Sequence, residues 1–95
     1  MSGARPPLEV YRSSRFDRRL REVDADLQQH CRSVVLAISR RSPTPGHRIK
    51  PILPQKYFFE ARLNRSDRLI FRIEGEKLHL VDIVAHDDID RYGRR

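Results

Sequence analysis

Between residues 57 and 92 the chain reads YFFEARLNRSDRLIFRIEGEKLHLVDIVAHDDIDRY. Tyr57, Phe59, Ala61 and Leu63 alternate with Phe58, Glu60, Arg62 and Asn64, and Leu69, Phe71 and Ile73 alternate with Arg68, Ile70, Arg72 and Glu74. Side chains of a strand point to opposite faces with period two, so the pattern predicts a sheet with one packed face and one that shows arginines. Strands are expected at about 57–64, 67–74 and 77–85, joined at Asn64-Arg65-Ser66 and Glu74-Gly75-Glu76. Turns this tight make antiparallel neighbours. The last strand is less regular: Leu78 and Leu80 share one parity, Val81 and Ile83 the other. That predicts burial on both sides, and Asp82 within it needs a partner.

Upstream, Leu8 to Arg12 is short and alternating and predicts a first strand. Phe16, Leu20, Val23, Leu27, Cys31, Val34 and Ile38 then recur at spacings of three and four, one apolar stripe on a helical surface. Asp24-Ala25-Asp26 offers a break. The expectation is a helical hairpin over 14–23 and 26–40, Ser14 capping the first helix and Asp26 the second with Gln29 closing a capping box. One continuous helix is the alternative. Ser42-Pro43-Thr44-Pro45-Gly46 ends the helical region, and residues 47–56 form an extended basic connection kept out of a sheet interior by Pro51 and Pro54. The order β-α-α-β-β-β predicts an α+β fold, a helical hairpin packed on one face of a small, mainly antiparallel sheet.

Ninety-five residues at 38% hydrophobic content allow one small domain, here 8–92, with a short disordered lead at 1–7 and a tail at 93–95. Nothing approaches a membrane span or a signal-peptide core, and no membrane partner is expected. The single cysteine, Cys31, cannot form an internal disulfide and falls on the apolar stripe, the pattern of a buried thiol in a reducing cytoplasm. Charge says more. The net is +7, and it is uneven: residues 1–75 carry 16 basic and 8 acidic side chains, residues 76–95 carry 4 and 5. A basic body favours a polyanion, because Arg and Lys release condensed counterions from phosphates. Simple solubility is the plain alternative, and an acidic protein the second partner. Four histidines and one cysteine match no zinc spacing, and phosphate-loop, dinucleotide and serine-hydrolase motifs are absent, so no metal or cofactor is expected.

The run EARLNRSDRLIFRIEGEKLHLVDIVAHDDIDRY resembles the RelE/ParE toxin superfamily of bacterial toxin–antitoxin systems. The likeness lies in an arginine ending one strand, R-L-I-F opening the next, a histidine after the last strand and a tyrosine nearby. It covers about Leu8 to Tyr92. The resemblance implies a RelE-like fold. It also implies either a ribosome-dependent endoribonuclease that cuts messenger RNA or, in the ParE branch, a non-catalytic inhibitor of DNA gyrase. A non-toxic nucleic-acid-binding module on the same fold is the third reading. An acidic antitoxin, and an oligomer formed with it, are the partners implied.

Metal-free RNA cleavage uses attack of a 2′-hydroxyl on the neighbouring phosphorus, and needs a base, cationic donors for the phosphate oxygens and an acid for the departing 5′-oxygen. In the resemblance Arg62 takes the strand-end arginine's place, suited to a two-pronged grip on phosphate, and Arg68 opens the next strand. His86 stands where an imidazole would act as acid or base. Tyr92 would stack on a base or offer its hydroxyl. His47, Arg48 and Lys50 occupy the basic connection, and Lys56, Arg65 and Arg72 extend the candidate RNA surface. Each has a plainer reading. Arg62 and Arg68 pair with Glu60 and Asp67, His47 is a turn residue, His86 a capping residue, and Tyr92 a packing residue. Asp87, Asp88 and Asp90 depart from the family's basic or aromatic end and would repel phosphate unless one orients His86.

Overall fold

The computed structural model describes residues 5–93. The expected lead and tail therefore fall partly outside it, at residues 1–4 and 94–95. The order is β1 (Glu9–Arg12), α1 (Ser14–Glu22), α2 (Ala25–Ser39), a 3-10 turn (Pro45–His47), β2 (Lys50–Pro51), β3 (Phe59–Arg62), β4 (Asp67–Glu74), β5 (Lys77–Ala85) and a 3-10 helix (His86–Tyr92). One five-stranded sheet runs β1-β5-β4-β3-β2, with β1 parallel to β5 and the other pairs antiparallel. The α+β class and the helical hairpin are as the sequence implied. Among the described residues no helix is long and apolar enough to cross a membrane.

The caps fall earlier than the residues expected. Ser13, not Ser14, starts α1: its Oγ accepts the Phe16 N–H at 2.9 Å and donates to the Val81 carbonyl at 2.7 Å, fastening the helix start to β5. Val23 is extended (φ −88°, ψ 161°), so the stripe breaks into two helices. Asp24, not Asp26, then caps α2 through the Leu27 N–H at 2.8 Å. Gln28 seals the corner, its side-chain amide donating to the carbonyls of Leu20 (2.9 Å) and Val23 (3.1 Å). Strand β3 is also shorter than 57–64. Pro51 sits on the two-residue edge strand β2 opposite Phe59, where its missing N–H costs no interior ladder bond.

The main core lies between the helices and the sheet: Phe16, Leu27, Cys31, Val34 and Ile38 pack on Ala61, Leu69, Phe71, Leu78, Leu80 and Ile83. The parity conflict in β5 is resolved by a bulge. The register shifts between Ile70 and Phe71, which face Asp82 and Leu80, so Val81 is the extra residue. Leu78, Leu80 and Ile83 can then all join one core while Asp82 and Val84 turn to the other face.

That other face is not the open arginine surface expected. Ile70 and Val84 rise from it and are covered by Ile52 and Phe58 from the β2–β3 connection and by Ile89 and Tyr92 from the C-terminal 3-10 helix. Two apolar residues on a face otherwise polar are enough to draw both flanking segments over it. The arginines survive only at its ends.

Candidate nucleic-acid interface

The β3–β4 hairpin is built by its turn. Asn64 Oδ1 accepts the N–H groups of Ser66 (2.8 Å) and Asp67 (2.6 Å), and Leu63 N–H donates to the Asp67 carbonyl at 3.0 Å. This register sets Arg62 directly opposite Arg68 on one face, with Glu60 opposite Ile70 in the next row. Like charges paired across a ladder repel unless something takes up one of them. Arg68 is taken up. Its Nη1 donates to the carbonyls of Asn64 (2.8 Å) and Asp67 (3.1 Å), and its Nε lies 3.7 Å from Oε1 of buried Glu60. Arg68 therefore braces the turn from within. Arg62, half-buried, has no ion-pair or hydrogen-bond partner for its guanidinium among the described residues.

His86 leaves the sheet beside the same turn. Its N–H donates to the Ser66 carbonyl at 2.7 Å, Ala85 before it pairs with Asp67, and the side chain is exposed. Lys50, exposed on edge strand β2, stands opposite Glu60. Arg62 and Arg68 thus stand side by side at one end of the second face, with His86 beyond the turn at that end and Lys50 one row inward, on the edge strand three places from β5. The others lie apart from this cluster or point elsewhere. His47 Nδ1 accepts the Thr44 N–H at 3.3 Å, and Arg48 follows in the left-handed region (φ 48°). Lys56, also left-handed (φ 61°), is exposed on the β2–β3 connection, and Arg65 is exposed at the apex of the turn. Arg72 is at the opposite end of the face, 3.2 Å from Glu74 Oε2 and 4.4 Å above the Tyr57 ring.

Tyr92 is buried, edge-on to Phe58 at 5.3 Å between centroids, and its hydroxyl donates to Asp82 Oδ2. Asp82 is 1% exposed; it also accepts the Ile83 N–H at 2.8 Å and lies 3.8 Å from Arg15 and 3.7 Å from Arg19 of α1. Burial, then the bond to Asp82, raise the Tyr92 hydroxyl above its usual pKa, and Arg15 works the other way. This cluster, spanning α1, β5 and the 3-10 helix, is the partner set that Asp82 required. The sequence flags the need but not the partners, which lie up to 67 positions away at Arg15. Asp87, Asp88 and Asp90 are exposed, Asp88 lying 3.5 Å from Arg91. No group of three or more His, Cys, Asp or Glu suited to a metal occurs among the described residues.

The sequence matches no protein-family model and no curated protein. The structure is similar to a copper-bound mutant toxin from Helicobacter pylori, with TM-score 0.72 and 16% identity over 85% of this chain and 97% of that one. A chain of the toxin–antitoxin complex RelBE2 from Mycobacterium tuberculosis gives TM-score 0.67 and 20% identity over 87% and 95%. A YoeB/ParE toxin from Agrobacterium tumefaciens gives 0.67 and 14% over 83% and 99%. With nearly the whole of each of these toxin chains covered, this chain has the fold that they share.

Proposed function

We propose that this protein is the toxin of a toxin–antitoxin pair and acts as a cytoplasmic endoribonuclease on messenger RNA at the ribosome. The observation that carries the reading is Arg62: a half-buried guanidinium with no partner among the described residues, on a face where its neighbour Arg68 is engaged by the turn and by Glu60. A planar fork held ready in this way suits the non-bridging oxygens of a scissile phosphate. The exposed imidazole of His86 would protonate the departing 5′-oxygen, and Lys50 is assigned to the attacking 2′-hydroxyl. The products are a 2′,3′-cyclic phosphate and a free 5′-hydroxyl. No metal takes part. Arg68 acts as a positioning residue through the turn. The partner is an acidic antitoxin, whose association with a chain of net +7 should be fast and salt-sensitive.

The test is induction of the wild-type chain with growth and new RNA 5′ ends followed together. Arrest with cuts inside translated messages, lost in both Arg62→Ala and His86→Ala at unchanged melting temperature, is the expected result. Full toxicity in both variants would sink the mechanism. A second reading, a ParE-like block of gyrase by protein contact, is favoured by one observation: Asp87, Asp88 and Asp90 stand exposed immediately after His86. It predicts arrest with DNA-damage signalling, no RNA cuts, and a dispensable His86.

A further inference from the structure

At the far end of the second face from Arg62 lies a cavity of about 380 Å³, within the range of small-ligand sites. Its walls combine two chemistries. Tyr11, Tyr57, Phe58 and His79 supply aromatic surface, and Arg72 supplies charge; Arg12 also borders the cavity, but its guanidinium lies beside Asp17 of α1. Sheet register brings them together: Tyr11 on β1 pairs with His79 on β5, which pairs with Arg72 on β4. The rings of Tyr11 and His79 are 5.5 Å apart between centroids, tilted at 45°. The cations are already drawn to the aromatic faces, Arg72 over Tyr57 at 4.4 Å and Lys77 over Tyr11 at 5.5 Å.

We propose that this cavity binds one nucleotide of single-stranded RNA, its base against the aromatic walls and its phosphate on Arg72. Stacking surfaces interleaved with arginine are what sequence-tolerant single-strand binding uses. The carboxylate that now faces Arg72 does not close the site. Glu74, 3.2 Å from Arg72, is a surface partner, and such a pair exchanges for a phosphate at little cost. Behind the ring, the buried His79 Nε2 makes no hydrogen bond and lies 3.7 Å from Glu74 Oε1. The cavity is separate from the Arg62 cluster. Arg68 and Arg72 are four residues apart on β4, roughly 13 Å at the usual strand rise, and the Ile70–Val84 core lies between them. The inference rests on the reading that RNA is the ligand, and it makes the cavity an anchor for a nucleotide outside the cleaved linkage.

The test is a titration of the full chain with 5′-AMP followed by amide NMR shifts, beside anisotropy of a fluorescein-labelled hexauridylate. Shifts are expected at residues 11–13, 57–58, 72 and 79. Arg72→Ala and Tyr11→Ala should each weaken the oligonucleotide roughly tenfold or more, with Tyr11→Phe restoring affinity and melting temperatures showing that the variants fold. Shifts confined to the Arg62 and His86 end, or affinities within twofold of wild type in both alanine variants, would overturn the proposal. So would a tyrosine-containing polyglutamate peptide that shifts these amides where 5′-AMP does not, since the partner would then be a protein. Failure of the nuclease reading looks different: 5′-AMP in the cavity with no RNA cut by the wild type removes that reading alone.

Discussion

Replacing Tyr92 by Phe isolates one hydroxyl in the C-terminal latch. Asp82 is 1% exposed, and its carboxylate is met by the Tyr92 hydroxyl, by the Ile83 N–H at 2.8 Å and, more distantly, by Arg15 and Arg19 at 3.8 and 3.7 Å. The arginine side chains are about half exposed, 53% and 45%, so water shares them and they compensate weakly. The ring contact with Phe58 survives the substitution, so apolar burial hardly changes. What is lost is the hydrogen bond to a buried charge, worth about 1.5–3 kcal/mol, together with the long one that the hydroxyl accepts from Arg15 Nη1 at 3.4 Å. For a domain under 100 residues that corresponds to a fall in Tm of roughly 6–15 °C. Urea and thermal unfolding followed by circular dichroism would measure it. Combined with Asp82→Asn, the double-mutant cycle should return a coupling above about 1 kcal/mol. A loss below about 0.5 kcal/mol for Tyr92→Phe would refute the latch as a stability element. Because His86 opens the 3-10 helix that Tyr92 closes, a loosened latch should also lower any activity that depends on His86.

Two further outcomes follow from burial. Gly93 is packed so closely on the β2–β3 connection that an added Cβ would lie 2.9 Å from the Leu53 carbonyl carbon, a backbone atom with no rotamer to yield. Gly93→Ala should therefore cost about 1–3 kcal/mol and increase amide exchange in residues 86–92; unchanged exchange there would contradict it. Cys31, 1% exposed, has its thiol pushed by burial up to about 11 from 9.0. The folded state holds this proton more tightly than the unfolded chain, so the contribution is whole below pH 9 and is lost as pH rises towards 11. The ceiling is ~3 kcal/mol. Cys31→Ala should flatten that alkaline slope, and a thiol reagent should leave the native wild type unmodified at pH 7.

How far the sequence reaches depends on what carries the signal. Strands 67–74 and 77–85 are found at their observed bounds because Gly75, at φ 62°, must be a turn, and because β-prone apolar residues run on either side of it, even though the parity switches at Val81. The two helices are legible from the stripe. Their caps are not, because Ser13 and Ser14, or Asp24 and Asp26, are equally good acceptors by type, and only the extended conformations of Ser13 and Val23 choose between them. The second core escapes for a different reason. Ile70 and Val84 each look like a lone apolar residue in a polar row, and the bulge at Val81 hides that they lie on the same face. The arginine hairpin is reachable through family resemblance, which puts Arg62 on the phosphate but leaves open whether Arg68 binds phosphate or supports the site. Their difference comes from Glu60 and from the turn carbonyls, which no spacing reveals.

That difference also explains why net charge was the weaker guide. An excess of cations states only that the surface attracts anions. Which cations are available is decided by what each already holds, and the three arginines of the second face occupy three distinct conditions. Arg68 is spent on the turn and on a buried carboxylate, so a phosphate would have to displace several bonds to reach it. Arg72 is shared between an exposed carboxylate and an aromatic ring, partners that a nucleotide can replace in kind. Arg62 has none to displace among the described residues. The free guanidinium pays no exchange cost on binding, whereas the spent one confers rigidity on its neighbour. On a hairpin where two arginines face each other, one of them locked into the turn is what allows the other to be held without a counter-ion of its own.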